Sequence, residues 1–224
     1  MIAAAAAAVV VVALVVGGIV VAGGDDEPSS TTNGGSASTV RFDGIPQDGA
    51  VLGADDARVT LIQFEDMQCP VCKQYSQEAF PGIVDEYVRP GEVKLRFVGL
   101  AFLGPDSEKA LRYVLAAGKQ GKLWEMSDVL YREQGDENTG WVTDELLQDA
   151  ATELGLDFAD LQSDAASPAV TQQLDSMSAE GQQREIPGTP WFYVQVGDDE
   201  PYEVQPTSLG IDAFRPILDD ALRG

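Results

Sequence analysis

The spacing of hydrophobic positions changes character along the chain, and the changes divide it. From Ile2 to Ala22 there is no period: IAAAAAAVVVVALVVGGIVVA is apolar throughout and uncharged. A helix over this run would span about 30 Å, the thickness of a bilayer core. It predicts a transmembrane anchor over residues 1–22. A cleaved signal peptide competes, with Val20-Val21-Ala22 as a small-residue cleavage site, but signal cores run only about 7–15 residues. Residues 23–39, GGDDEPSSTTNGGSAST, are polar without periodicity and predict a flexible linker reaching roughly 20–25 Å. Residues 40–224 are expected to form the folded domain.

Within that domain Arg58–Phe64 (RVTLIQF) is a β-branched apolar run that predicts a buried strand. It leads into Cys69-Pro70-Val71-Cys72, and then Val71, Tyr75, Ala79, Ile83 and Tyr87 recur at helical spacing, with Pro81 as a kink. Val93–Leu100 predicts a second strand after the Pro90-Gly91 turn. Residues 105–184 carry helical signals. One helix opens at Ser107-Glu108, one holds Leu123, Met126, Val129 and Leu130, one is capped by Thr143, and one starts at Ser167-Pro168. Strand pattern returns at Pro190–Val196, Tyr202–Val204 pairs with it, and Ile211–Leu222 closes the chain as a helix. The order reads as a βαβ half and a ββα half with helices between them, an α/β design.

Charge narrows the function. Thirty-seven acidic against fourteen basic residues give a net charge of −23, a field that repels nucleic acid and anionic headgroups. Its plain role is solubility. The chain has no histidine, which excludes Ser-His and Cys-His nucleophile pairs and His-ligated metal. Two cysteines cannot supply a four-thiolate zinc site, so no metal and no cofactor are expected.

The sulfur chemistry therefore rests on one pair. At a strand-to-helix junction, Cys69 would lie at a helix N-terminus, where unpaired N–H groups and the helix dipole favour its thiolate. Pro70 suits the first helical position. Cys72 would lie one turn on, close enough to form a disulfide and to resolve a mixed one. A purely structural disulfide across so short a loop would restrain the unfolded chain little. Half of an intermolecular zinc site is the other plain alternative.

The segment VTLIQFEDMQCPVCKQY (Val59–Tyr75), with GIPQDGAVLG (Gly44–Gly53) upstream and IPGTPWFYV (Ile186–Val194) downstream, resembles the DsbA-like thioredoxin-fold oxidoreductases. The resemblance implies a thioredoxin fold with a helical insertion. It also implies a solvent-exposed attacking thiol at Cys69 and a more buried resolving thiol at Cys72. Pro190 would be the family's cis-proline packed against the disulfide, and the Thr189 backbone would pair with an extended client segment. On composition alone a trans proline is the expectation, since only about 5–6% of X-Pro bonds are cis. The family's buried carboxylate six residues before the first cysteine is replaced by Gln63. Glu65, two residues on and on the same strand face, is the expected substitute proton relay, with water as the alternative. Met67 and Gln68 are expected to be exposed beside the motif. Trp124, Met126 and Tyr131 are expected in the core, whereas Trp191 and Phe192 are read equally as core or as the wall of a client groove.

The function implied is disulfide formation in reduced or misoxidised client proteins by an extracytoplasmic oxidase, reoxidised by a membrane quinone-linked partner. Extracytoplasmic disulfides are normal and cytosolic ones rare, so the anchor supports that compartment. The Lys or Arg expected before the anchor is missing, which would put the true start upstream of Met1. Rival readings are a reductase or isomerase of the same fold, a non-catalytic binding or chaperone module, and a Cu(I) carrier.

Overall fold

A computed structural model describes residues 41–224. The apolar run and the polar linker lie outside the described residues. Among the described residues, no helix is long and apolar enough to cross a membrane.

Among the described residues six strands form one sheet: β1 (Gln47–Asp48), β2 (Val51–Leu52), β3 (Val59–Glu65), β4 (Val93–Gly99), β5 (Trp191–Val196) and β6 (Tyr202–Val204), in the order β1-β2-β4-β3-β5-β6. β3 pairs parallel with β4 and antiparallel with β5. β3 is buried along its whole length, as a central strand covered on both faces must be, and this explains its unbroken apolar run. The β1–β2 hairpin was not expected; two residues per strand are too few to show a period.

One sheet face carries Leu61, Leu95, Phe97, Phe192 and Val194 into the main core. The other carries Ile62, Phe64, Val98, Leu100 and Tyr193 into a smaller one against Met177 and Ile186. Helix α1 (Pro70–Glu78) follows β3. The long helix expected through Val88 is instead three pieces: α1, a short α2 (Phe80–Ile83) and a π-helical turn at Val84–Val88. Pro81 has no N–H to continue the ladder, so the chain breaks there rather than bending.

The insertion holds five helices among the described residues: α3 (Pro105–Gly118), α4 (Leu123–Arg132), α5 (Asp144–Leu154), α6 (Phe158–Ala165) and α7 (Pro168–Gln183). Thr143 caps α5 by accepting from the Leu146 amide, and Gly155 ends it in the left-handed region. α6 was not expected. Its signal was Asp157, whose side chain accepts from the Asp160 amide, four residues before the buried Leu161. α8 (Ile211–Arg223) closes the chain.

Aromatic rings join the insertion to the thioredoxin-like half. Tyr75 meets Phe192 and Phe214 at centroid distances of 4.9 and 5.5 Å, and Phe80 stacks on Trp124 at 5.9 Å. Such pairs contribute about 0.5–1.5 kcal/mol each beyond their buried area. They hold α1, which bears the cysteines, between β5, α8 and the insertion helix α4.

Candidate active site

Cys69 is the N-cap of α1, in extended conformation, with Pro70 at the first helical position. Its carbonyl accepts from the Lys73 amide at 3.1 Å, while the amides of Val71 and Cys72 face its sulfur. The Cys69 Sγ donates to the Thr189 carbonyl at 3.2 Å. Both cysteines are free thiols. The Thr189–Pro190 peptide is cis. Because Trp191 pairs with Phe64 in the β3–β5 register, Pro190 lies beside the end of β3, next to the loop that delivers Cys69.

The two thiols have opposite electrostatics. Cys69 is lowered from 9.0 to about 6, chiefly by a hydrogen bond from the Cys72 thiol, with burial opposing and the Thr189 side chain and the helix-end amides adding to the fall. Cys72 is raised well above 9.0, first by burial and then by its bond to Cys69 and the nearby Glu65. This is the pattern of a nucleophile and leaving group beside a reserve thiol.

Exposure differs from expectation. Cys69 is only 7% exposed, against 0% for Cys72, so the attacking thiol is less open than expected. The Thr189 carbonyl sits over its sulfur. Met67 and Gln68, expected to be exposed, are buried because a loop of the insertion folds over them. Gln134 donates to the carbonyls of Met67 (2.8 Å) and Cys69 (3.2 Å). The Asn138 amide donates to the Gln68 side chain at 2.7 Å. Asn138 takes a left-handed backbone, φ 57°, which asparagine tolerates better than most residues. Its side-chain amide donates to the Leu103 carbonyl, and a Cβ on Gly104 would fall 1.9 Å from its Oδ1.

Asp66, fully buried, ties this collar together. It accepts from the amides of Gln68 (2.9 Å), Phe102 (3.1 Å) and Leu103 (3.2 Å) and from the Ser107 hydroxyl (2.5 Å). No sequence period marked Gln134, Asn138 or Asp66 as part of the site. The only signal was the placement of Asp66 three residues before Cys69.

Behind the thiols, Gln63 and Glu65 are both buried. Gln63 accepts from the Tyr75 hydroxyl at 2.8 Å, a bond that also occupies the position where the family carries a carboxylate. Glu65 is raised from 4.5 to about 8 by burial; the Tyr131 hydroxyl offsets part of the rise and Cys69 adds to it. Trp124, Met126 and Tyr131 are buried, as is Phe192, while Trp191 is half-buried against the smaller core. Among the described residues there is no cluster of acids and cysteines suited to a metal ion.

A CxxC pair at the start of the first long helix, beside a cis-proline loop and under a helical insertion, defines a class. Residues 46–214 match the thioredoxin family, and the chain belongs to it. It is a DsbA-like thiol–disulfide oxidoreductase. Disulfide bond formation protein D of Bacillus subtilis is 32% identical over 147 residues, covering 64% of this chain and 66% of that one. The probable disulfide bond formation protein D of Bacillus cereus is 30% identical over 147 residues, covering 64% and 68%. The crystal structure of oxidised BdbD from Bacillus subtilis superposes with a TM-score of 0.69 at 28% identity, over 81% of this chain and 97% of that one.

Proposed function

We propose that the chain is an extracytoplasmic disulfide donor, tethered to the membrane by residues 1–22 through the linker at 23–39, with residues 40–224 as its catalytic domain. The observation that carries the direction is the lowered Cys69, at about 6. A thiol that prefers the thiolate is a good leaving group and stabilises the reduced enzyme. Stabilising the reduced form is what makes a dithiol pair oxidising.

In donation a client thiolate attacks Cys69 Sγ. The Cys69–Cys72 bond breaks, the electron pair goes to the Cys72 sulfur, and that sulfur takes a proton. A second client thiolate then attacks the client sulfur of the mixed disulfide and expels Cys69 as thiolate. Client protein leaves oxidised, and the enzyme is left with the thiolate and thiol that its electrostatics favour. Thr189 offers backbone to an extended client segment beside Pro190, and Glu65 handles the Cys72 proton in place of the carboxylate absent at Gln63. A membrane quinone-linked partner reoxidises the pair. The name of the Bacillus subtilis relative, disulfide bond formation protein D, supports the same direction.

The reduction potential of the full chain, equilibrated with glutathione buffers, tests this. A value near about −120 mV is expected for a strong donor, and one near about −270 mV would make the chain a reductase.

A further inference from the structure

A cavity of about 230 Å³ lies where the end of β4 meets α3 and the C-terminal half of α7. Leu100, Leu111, Leu174, Phe102 and Ile186 supply its apolar lining. Small-molecule sites usually enclose about 300–1,000 Å³, so this one is of a size for a single bulky side chain. Phe102 is 53% exposed, yet its backbone is fixed. Its amide donates to Asp66 at 3.1 Å, and the Asp66 carbonyl accepts from the Cys69 amide at 3.0 Å. The same short loop therefore holds the attacking thiol and an open aromatic ring at the cavity.

Glu185 also lines this cavity. It stands just past α7 with φ 53°, a left-handed backbone that glycine usually fills at helix ends and that strains other residues. Its amide donates to the Gln182 carbonyl, and the Ile186 amide to the Gly181 carbonyl, both at 3.0 Å. The Glu185 carboxylate is exposed and has no hydrogen-bond or ion-pair partner among the described residues. Arg184 beside it is committed elsewhere, to Glu180 at 3.3 Å and over the Tyr193 ring at 4.8 Å. From Ile186 the chain reaches Thr189, whose carbonyl sits over the Cys69 sulfur at 3.2 Å. Three residues span at most about 10 Å, and an extended client covers that distance in about three residues of its own.

We propose that this cavity is a specificity subsite for client proteins. It takes a bulky apolar side chain two or three residues from the attacking client cysteine, and Glu185 pairs with a Lys or Arg next to that side chain. The proposal rests on the reading that clients lie extended across Thr189, and adds which client sequences fit there. Two observations choose the occupant. The cavity is continuous with the face at which clients react, since Phe102 and Ile186 each lead by a short chain segment to Cys69. Its rim carries a carboxylate that nothing in the protein neutralises, on a chain of net charge −23, so a basic residue is attracted and an acidic one repelled. The preferred client motif is thus an apolar residue beside a basic one, a short distance from the cysteine.

The test is the second-order rate of thiol–disulfide exchange between the full chain and a set of two-cysteine peptides. The peptides carry Leu-Lys, Ser-Lys or Leu-Glu at the second and third positions from one cysteine, before it in one series and after it in another. In one of the two series Leu-Lys is expected to react about tenfold faster than Ser-Lys, from burial of the leucine. It should also outpace Leu-Glu about three- to fivefold, as a rim ion pair allows. Ser178→Phe, which fills the cavity, should erase the Leu preference, and Glu185→Gln should erase the Lys preference while keeping that for Leu. Any change in the thiols themselves scales all peptides alike and leaves these ratios unmoved. Equal rates for Leu-Lys and Ser-Lys with the wild-type chain overturn the subsite, without any variant having to fold. A Leu preference that survives Ser178→Phe overturns it too, and a Lys preference that survives Glu185→Gln overturns the pairing. The ratios are read both with oxidised chain and reduced peptide and with reduced chain and oxidised peptide. A reductase-like potential would therefore remove the donor reading and leave the subsite standing.

Discussion

The mouth of the site and the interior behind it place ionisable groups on either side of Cys72 and treat them in opposite ways. At the mouth, hydrogen bonds outweigh burial, and Cys69 falls to about 6. In the interior, burial outweighs the Tyr131 hydroxyl, and Glu65 rises to about 8. Both groups are close-packed, so burial alone does not decide the sign. What decides it is whether donors are aimed at the charged form. A helix N-terminus aims amides at Cys69, whereas the strand end bearing Glu65 has its backbone committed to the sheet, with the Glu65 carbonyl accepting from the Leu100 amide at 2.7 Å.

The largest expected effect breaks the contrast by deleting one side. Cys69→Ala is expected to abolish oxidation of a reduced thiol peptide, because Cys72 is fully buried and held as thiol. Full retained function in that variant would instead fit a non-catalytic binding module.

Next in size are two opposing pH slopes in the thermal stability of the reduced protein. Glu65 is raised from 4.5 to about 8, so its favourable protonation in the folded state is fully present below 4.5 and lost as pH rises through 8. Wild type should lose stability relative to Glu65→Gln across that window. Cys69 is lowered from 9.0 to about 6, so its contribution is present above 9 and lost as pH falls through 6. Wild type should gain on Cys69→Ser as pH rises across the window between them. Parallel slopes in the two comparisons would show that the environments do not differ in sign.

A direct ultraviolet titration of thiolate sharpens the same point. One thiol should titrate near 6 while Cys72 stays protonated well beyond 9.0. Two thiols titrating together would erase the asymmetry on which donation depends.

The smallest effect concerns Gln63. Gln63→Leu leaves the buried Tyr75 hydroxyl without its acceptor, which should lower stability by about 1–3 kcal/mol. The Cys69 titration should not move, since Gln63 faces a small interior cavity. A shifted Cys69 titration would show that the two regions are coupled through Tyr75.

Much of this was legible in the residues. Apolar, β-branched runs located β3, β4 and β5, and CPVC after β3 located the thiols, because each is a local pattern. What was not legible is the surroundings. Met67 and Gln68 follow a strand in a short loop, and nothing near them in sequence says that Gln134 and Asn138 will cover them. The low exposure of Cys69 has the same origin in a carbonyl 120 residues away. Tyr131 was readable as core from helical spacing, but its second part, beside Glu65, depends on how α4 packs on β3. Long-range packing, rather than local propensity, sets the chemistry here.

The contact between Gly104 and Asn138 has a consequence for descent. A side chain at 104 collides with Asn138, and a bulkier residue at 138 loses both the left-handed backbone and the bond to Leu103. The two positions lie on different loops of the insertion, yet neither is free to drift alone. Among descendants of this chain they should be inherited as a linked pair, changing together or not at all.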